Sequence, residues 1–232
     1  MGALVSYETQ IPLDAGPTAT TYGELNRAYD FFNDRLFGGE LPRCLITMQR
    51  HKGAYGYFSP DRFGSRDGEV ADEIALNPTH FAHRTPREIM STLVHEMVHL
   101  WQKHFGKMPR GAYHDKQWAK KMHEVGLHPS STGGPGGKET GQKVSHFIKD
   151  DGPFARAFVD FEQLGMNELF GDRFAESEKA AKSRAKKRAS KTKFTCEQCD
   201  LNAWAKPDAR LICGECSEPM VCEEPDEDEQ DN

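Results

Sequence analysis

The 232-residue sequence lacks the features that would place it in a membrane or in a secretory pathway. It has no run of about 18 apolar residues, which argues against a transmembrane helix. Its N-terminus lacks the basic and apolar regions of a secretory signal. It also lacks Walker-type spacing, so no phosphate-binding loop is indicated. We therefore expect an intracellular, cytoplasmic protein that is not secreted and has no membrane partner.

Large apolar side chains are scarce after residue 178, whereas residues 1–178 hold nearly all the Phe, Leu, Ile and Tyr. Only the first portion can bury a sizeable core. The net charge of -6 combines eight Lys/Arg in residues 179–193 with seven Asp/Glu in residues 223–231. The predicted organisation is an irregular N-terminus (1–19), a folded domain (20–175, with a core at 20–128 and an extension at 129–175), a basic linker (176–193), a small metal-binding module (194–221) and an acidic disordered tail (222–232).

Hydrophobic periodicity and capping signals predict an α+β domain, with helices packed on a small, largely antiparallel sheet. Thr85, Pro86 and Glu88 are typical of a capped helix start. The glycine-rich residues 130–141 predict a loop. The predicted helices cover residues 21–37, 86–105, 114 or 115–125 and 154–169, and the predicted strands cover 45–49, 55–59, 73–77 and 144–148.

The strongest chemical signal is His95-Glu96-Met97-Val98-His99 within the second predicted helix. Histidines four residues apart lie on one helix face, about 5–6 Å apart at Cβ, so both can reach one zinc ion. Glu96 is rotated roughly 100° from His95, which places its carboxylate beside the metal as a general base rather than a ligand. An ordinary buried helix is the alternative, but a buried carboxylate between two histidines is costly without a cation.

A catalytic zinc needs three protein ligands and an open position. His104 lies about 140° past His99 on the same helix and would point away. His123 and His128 lie further along or beyond the next helix. We choose His114, because it stands where the chain has turned back after a loop, with Trp118 one turn on to anchor it.

The HExxH segment, the element His114-Asp115-Lys116-Gln117-Trp118 and the paired C-terminal cysteines resemble the SprT-like zinc metalloproteases. Leu41-Pro42, Gly56-Tyr57 and residues 74–77 extend the resemblance. It implies a minimal zincin-like core, the ligands His95, His99 and His114, and Glu96 as the base that acts on metal-activated water. Residues 126–170 have no counterpart that we can place in the eukaryotic members, and we interpret His146 within them as structural. The oxyanion donor stays open between Tyr113 and Arg110.

The paired cysteines predict a second zinc site. Cys196-x-x-Cys199 and Cys213-x-x-Cys216 have zinc-ribbon spacing, and four thiolates form a closed, structural site. Such a site lets a segment too small for its own core fold around metal. We therefore expect two Zn²⁺ per chain, one catalytic and one structural.

The ribbon and its preceding linker also predict nucleic-acid binding, since cations neutralise phosphates and an exposed Trp stacks on an unpaired base. The alternative is a solvated linker with Trp204 packed on the zinc knuckles. The candidate contacts are Lys182, Arg184, Lys186, Lys187, Arg188, Lys191, Lys193, Trp204, Lys206 and Arg210.

These features together predict a zinc-dependent endopeptidase that cleaves DNA-bound or DNA-crosslinked proteins, as in DNA-protein crosslink repair. The expected partners are protein substrates and DNA, including single-stranded DNA, which would place the protein at the nucleoid or in the nucleus. One alternative is a non-catalytic DNA- or transcription-complex-binding module on a SprT-like scaffold. Another is a metallohydrolase that acts on a small amide.

Overall fold

The computed structural model describes residues 16–111, 113–167, 169–173, 192–206 and 209–222. They belong to two compact units, one within Met1–Phe174 and the other within Ala175–Asn232. Helices and small sheets together make the fold α+β, as predicted. No helix in the described part of the chain is long and apolar enough to cross a membrane.

The first unit contains four α-helices and five strands in its described residues. The helices are α1 (Pro17–Phe37), α2 (Pro86–Phe105), α3 (Lys116–Val125) and α4 (Pro153–Gln163), and a 3-10 helix covers Pro78–His83. The strands are β1 (Leu45–Met48), β2 (Gly56–Gly64), β3 (Val70–Leu76), β4 (Leu127–Ser130) and β5 (Ser145–Ile148).

The main sheet has the order β1-β3-β2, with β1 parallel and β2 antiparallel to the central strand β3. It is thus mixed rather than largely antiparallel. The difference arises because β3 inserts between two strands that are consecutive in sequence, and strand direction at such a position is not encoded in residue alternation. A separate antiparallel pair joins β4 to β5, and β4 lies where the sequence predicted no strand.

Local signals fixed most helix ends. Helix α2 has the predicted bounds, with Thr85 as N-cap in a complete capping box. Helix α1 begins at Pro17, before the predicted residue 21, because Pro17 is suited to the first helical turn. The N-terminal segment predicted as irregular therefore ends at residue 16 at the latest, and residues 1–15 lie outside the described part.

Aromatic residues of α1 and α4 build much of the core of the first unit. The rings of Phe31 and Phe161 lie 5.2 Å apart, and those of Phe32 and Phe154 lie 5.6 Å apart. All four side chains are fully buried. The extension after residue 128 thus belongs to the same core as the first helix.

The second unit contains strands β6 (Thr192–Thr195), β7 (Asn202–Ala205) and β8 (Val221–Cys222) in the order β7-β6-β8. Thr192 and Lys193, predicted as linker, belong to β6, and Cys222, predicted as tail, belongs to β8. The remaining predicted linker, residues 176–191, and tail, residues 223–232, lie outside the described part of the chain.

Candidate metal centre

Three histidines converge beside the main sheet. His95 and His99 lie on α2, and His114 lies two residues before the start of α3. One nitrogen from each ring lies within 4.8 Å of one from each of the other two. The structure thus brings together the three residues that the sequence proposed as ligands of a catalytic metal.

The start of α3 holds His114 in place. The neighbouring Asp115 caps this helix, and its Oδ1 accepts hydrogen bonds from the backbone N–H of Trp118 at 2.9 Å and from Nε2 of Gln102 on α2 at 2.8 Å. The fully buried Trp118 packs against all three histidines, and its ring lies 4.3 Å from that of His114. The aromatic residue of the predicted element therefore forms the apolar floor of the site.

Burial keeps the cluster uncharged. It lowers the pKa of His95 well below its usual range, lowers the pKa of His99 to about 3, and also lowers the pKa of His114. Neutral imidazole is the form that binds a metal. Three neutral, convergent imidazoles are a donor set that fits zinc.

A fourth histidine, His146 on β5, contacts the cluster from the extension. Its Nδ1 lies 3.0 Å from Nδ1 of His95, and its Nε2 lies 2.9 Å from Oγ of Ser91. Ser91 donates to the carbonyl of Glu88, so a consistent arrangement has His95 Nδ1–H donating to His146 and His146 Nε2–H donating to Ser91. This arrangement leaves Nε2 of His95 free to bind a metal. The sequence interpretation of His146 as structural did not include this contact, because its position 51 residues after His95 gave no signal.

The loop after β4 orients His114 in a similar way. His114 and Gly141 exchange two backbone hydrogen bonds of 2.9 and 3.0 Å, and Nδ1 of His114 lies 3.2 Å from the Gly141 carbonyl. Since a carbonyl only accepts, Nδ1 donates and Nε2 is left free. Metal-binding histidines commonly donate their second ring N–H to such an acceptor.

Glu96 is almost fully buried on α2, and burial raises its pKa to about 8. Strand β2 passes close to it, because a Cβ at Gly56 would lie 3.3 Å from Oε1 of Glu96 and 2.8 Å from the carbonyl oxygen of Ala75. Only glycine allows this approach. The helix and the sheet are thus in close contact at the candidate base.

The cluster lies in a cavity of about 890 Å³. Its lining includes His95, Glu96, His99 and His114, together with Tyr57 and Phe58 of β2. Tyr113 also lines this cavity, whereas Arg110 is not part of its lining. Of the two candidate oxyanion donors, Tyr113 is therefore the one placed near the histidines.

The other histidines considered as third ligands lie elsewhere. Nε2 of His104 is 2.8 Å from Oδ2 of Asp72, so it pairs with β3. His123 and His128 form a separate group with Glu139. His104, His123 and His128 therefore lie outside the three-histidine cluster.

The four paired cysteines come together in the second unit, with one sulfur from each within 4.8 Å of the others. Hydrogen bonds from the backbone N–H groups of Cys216 and Glu215 lower the pKa of the Cys213 thiol to about 7, whereas a hydrogen bond with Cys199 raises the pKa of the Cys216 thiol. Thiolate is the metal-binding form of cysteine. The cluster is thus compatible with a zinc ribbon.

The candidate nucleic-acid residues in the described part of the ribbon are Lys193, Trp204, Lys206 and Arg210. Trp204 is 62% exposed, so it is not packed on the knuckles. Lys193 is its direct cross-strand partner between β6 and β7, and Lys206 and Arg210 are exposed. The other candidates, Lys182, Arg184, Lys186, Lys187, Arg188 and Lys191, lie outside the described residues.

Comparisons with known proteins agree with the resemblance. A family model described as the SprT-like family matches residues 25–137. A Salmonella typhimurium protein named "Uncharacterized protein in mucB 3'region" is 61% identical over 59 residues, which are 25% of this chain and 80% of that protein. No solved structure matches the chain. The family match contains the three histidines and Glu96 but ends before His146 and the ribbon.

Proposed function

Because the chain belongs to the SprT-like family, we propose that its metallopeptidase-like domain is an active zinc-dependent endopeptidase that cleaves DNA-bound or DNA-crosslinked proteins. The observation that carries the proposal is the convergence of His95, His99 and His114 beside Glu96 in one cavity. A binding module without chemistry needs neither the third imidazole nor a buried carboxyl at this place.

The three histidines would hold the catalytic zinc through the ring nitrogens that their other hydrogen bonds leave free. Zinc, when bound, supplies a Lewis acid that activates water and polarises a substrate carbonyl. Glu96 accepts the proton of the attacking water on its carboxylate and delivers it to the nitrogen of the leaving amine. Burial raises the pKa of Glu96 towards neutral pH, the range in which one carboxyl can both accept a proton and return it.

The cavity favours a peptide over a small amide as substrate. Strand β2 is an edge strand of the main sheet, and its residues Gly56, Tyr57 and Phe58 line the cavity. An extended peptide can add to such an edge by main-chain hydrogen bonds, with its side chains in adjoining pockets. That placement would bring a peptide bond past Glu96 and the histidines.

The ribbon supports a DNA-associated substrate. The exposed indole of Trp204 offers a surface for stacking on an unpaired base, and Lys193 lies beside it to neutralise a phosphate. The folded ribbon would hold the second, structural zinc on Cys196, Cys199, Cys213 and Cys216.

Replacement of the base tests the proposal directly. Glu96→Gln should retain zinc at the three histidines and slow cleavage of a DNA-crosslinked protein by roughly 10²- to 10⁴-fold, because proton transfer is lost. Gel assays of the crosslinked substrate, with and without single-stranded DNA, and elemental analysis of zinc measure both effects. Glu124→Gln, which alters an exposed carboxylate on α3, should cleave like the natural sequence.

The outcomes separate the alternatives. Undiminished cleavage by Glu96→Gln would remove Glu96 from the mechanism. Intact substrate after incubation with the zinc-loaded natural protein, together with DNA binding, would favour the non-catalytic module. Cleavage of small amides but of no protein would favour the third alternative.

A further inference from the structure

A second group of metal-binding side chains lies on the surface, away from the three-histidine cluster. His123 is in the last turn of α3, His128 is on β4, and Glu139 is in the loop that connects β4 to β5. One Glu139 oxygen is 3.1 Å from Nε2 of His123, and the other is 3.2 Å from Nε2 of His128. The two imidazole rings are 4.5 Å apart.

The backbone between the histidines holds them on one side of the unit. Gly126 ends α3 in a left-handed conformation (φ 88), so that the chain passes directly into β4. A Cβ at Gly126 would lie 2.8 Å from Pro153, at the start of α4, which requires glycine here. His128 is further held by stacking on Phe147 of β5, with ring centroids 4.6 Å apart.

The donor set is one that a transition metal prefers. Two imidazoles and one carboxylate, with donor atoms within 4.8 Å of one another, are present. Ligands of a tetrahedral zinc with bonds of about 2.1 Å lie about 3.4 Å apart, close to the observed separations of nitrogen and oxygen. Mg²⁺ and Ca²⁺ prefer oxygen ligands, so a site with two imidazoles is a poor site for either ion. The exposure of His123 and Glu139 leaves the remaining coordination positions to water.

We propose that His123, His128 and Glu139 form a third zinc site, which fastens the β4–β5 loop to the end of α3. The site shares no residue with the proposed catalytic or ribbon sites.

The fastened loop is the one that contacts the catalytic cluster. Glu139 stands two residues before Gly141, which pairs with the backbone and Nδ1 of His114. Gln142 and Lys143, which follow, line the cavity. Zinc at the surface site therefore restrains the segment that orients His114 and borders the cavity.

Metal binding by the 232-residue chain tests this proposal. Three proteins are compared: the natural protein, the double variant His123→Asn/Glu139→Gln and the single variant Glu139→Gln. Each is dialysed against a series of buffered free zinc concentrations, and bound zinc is measured by elemental analysis. At saturation the natural protein should bind one ion per chain more than the double variant, and Glu139→Gln should need higher free zinc. The exposed His83→Asn is the matched control and should bind like the natural protein.

Hydrogen exchange at the Gly141 amide tests the link to the loop. Zinc at concentrations that fill the third site should slow this exchange in the natural protein. In the double variant, whose other two sites are unchanged, the same zinc concentrations should cause no further slowing. Calcium in place of zinc should have no effect.

Equal zinc binding by the natural protein and the double variant would overturn the site. If the two proteins bind different amounts of zinc but zinc has the same effect on hydrogen exchange at the Gly141 amide in both, the site does not restrain the β4–β5 loop. Neither readout requires proteolysis, so failure here leaves the proposed endopeptidase standing, and failure of that activity leaves this site standing.

Discussion

His95 owes its orientation to His146, which lies in the extension beyond the residues matched by the family model. This contact gives a testable expectation at the scale of one residue. His146→Ala should weaken zinc binding at the three-histidine site by roughly 10- to 100-fold, because removal of an acceptor for a ligand's second N–H typically has this effect. Competition with a chelator measures the affinity.

The control for His146→Ala is His83→Ala, which alters an exposed histidine and should leave zinc affinity unchanged. The thermal unfolding of the metal-free variants shows whether the fold is intact. If His146→Ala folds and binds zinc like the natural protein, the contact with His95 does not position the ligand.

Gly56 is the second residue whose role only packing reveals. A methyl group there would lie 2.8 Å from the Ala75 carbonyl oxygen and 2.9 Å from Cγ2 of Thr92. Gly56→Ala should lower the free energy of unfolding by about 1–3 kcal/mol, the usual cost of overpacking. Urea denaturation measures it, with Gly64→Ala on the same strand as control.

At Gly64 the nearest atom to a new Cβ is 3.8 Å away. That variant should therefore stay within about 0.5 kcal/mol of the natural protein, as for most surface substitutions. Equal effects of the two substitutions would contradict a specific close approach of β2 to α2 at Gly56.

At the scale of elements, the helix that carries the HExxH motif begins with a complete capping box. Thr85 Oγ1 accepts from the backbone N–H of Glu88 at 3.3 Å, and the Glu88 carboxylate accepts from the backbone N–H of Thr85 at 2.7 Å. Thr85→Ala should cost about 1 kcal/mol in the free energy of unfolding, measured with urea.

The same box predicts a pH dependence. Hydrogen bonds from the Thr85 backbone and side chain lower the pKa of Glu88. A carboxyl whose folded pKa is depressed stabilises the fold above its unfolded pKa of about 4.3, and this contribution is lost as the pH falls through the lower, folded value. Glu88→Gln should therefore reduce the loss of stability below about pH 4. Parallel pH profiles for the two proteins would contradict this expectation.

Helix α4 shows where an element-level prediction failed. Periodicity predicted a helix over residues 154–169, but α4 ends at Gln163. Gly165 adopts φ 79, and Arg27 of α1 donates a hydrogen bond to its carbonyl. The contact with α1 fixes a turn there, and local propensity does not contain that information.

At the scale of the whole molecule, the basic segment and the ribbon predict salt-dependent binding to single-stranded DNA. Affinity should fall with added salt as counterions are released. Replacement of the seven Lys/Arg of residues 179–191 by Ser should weaken binding and flatten the salt dependence. Fluorescence anisotropy over a salt series measures both, and this variant leaves strand β6 intact.

The stacking contribution is separable from the charge contribution. Trp204→Ala should cost about 1–3 kcal/mol of binding for each base stacked, with little change in the salt slope. Ile212→Ala, at another exposed apolar residue of the ribbon, is the matched control. The proposed DNA contact would be wrong if the affinity for DNA did not depend on salt. It would also be wrong if neither Trp204→Ala nor the replacement of the Lys/Arg of residues 179–191 weakened binding.

The sequence by itself determined the features that depend on local chemistry. Helix periodicity and ligand geometry act within a few residues. They are therefore sufficient to interpret three local patterns: the spacing of His95, Glu96 and His99, the cap at Thr85 and the paired cysteines. The choice of His114 also anticipated its place in the cluster.

Tertiary structure alone decided what depends on contacts between distant segments. It placed β3 between β1 and β2, ended α4 early, set His146 against His95 and joined His123, His128 and Glu139 in one group. These contacts arise when the elements pack around the common core, and no periodicity or short motif in the chain encodes them.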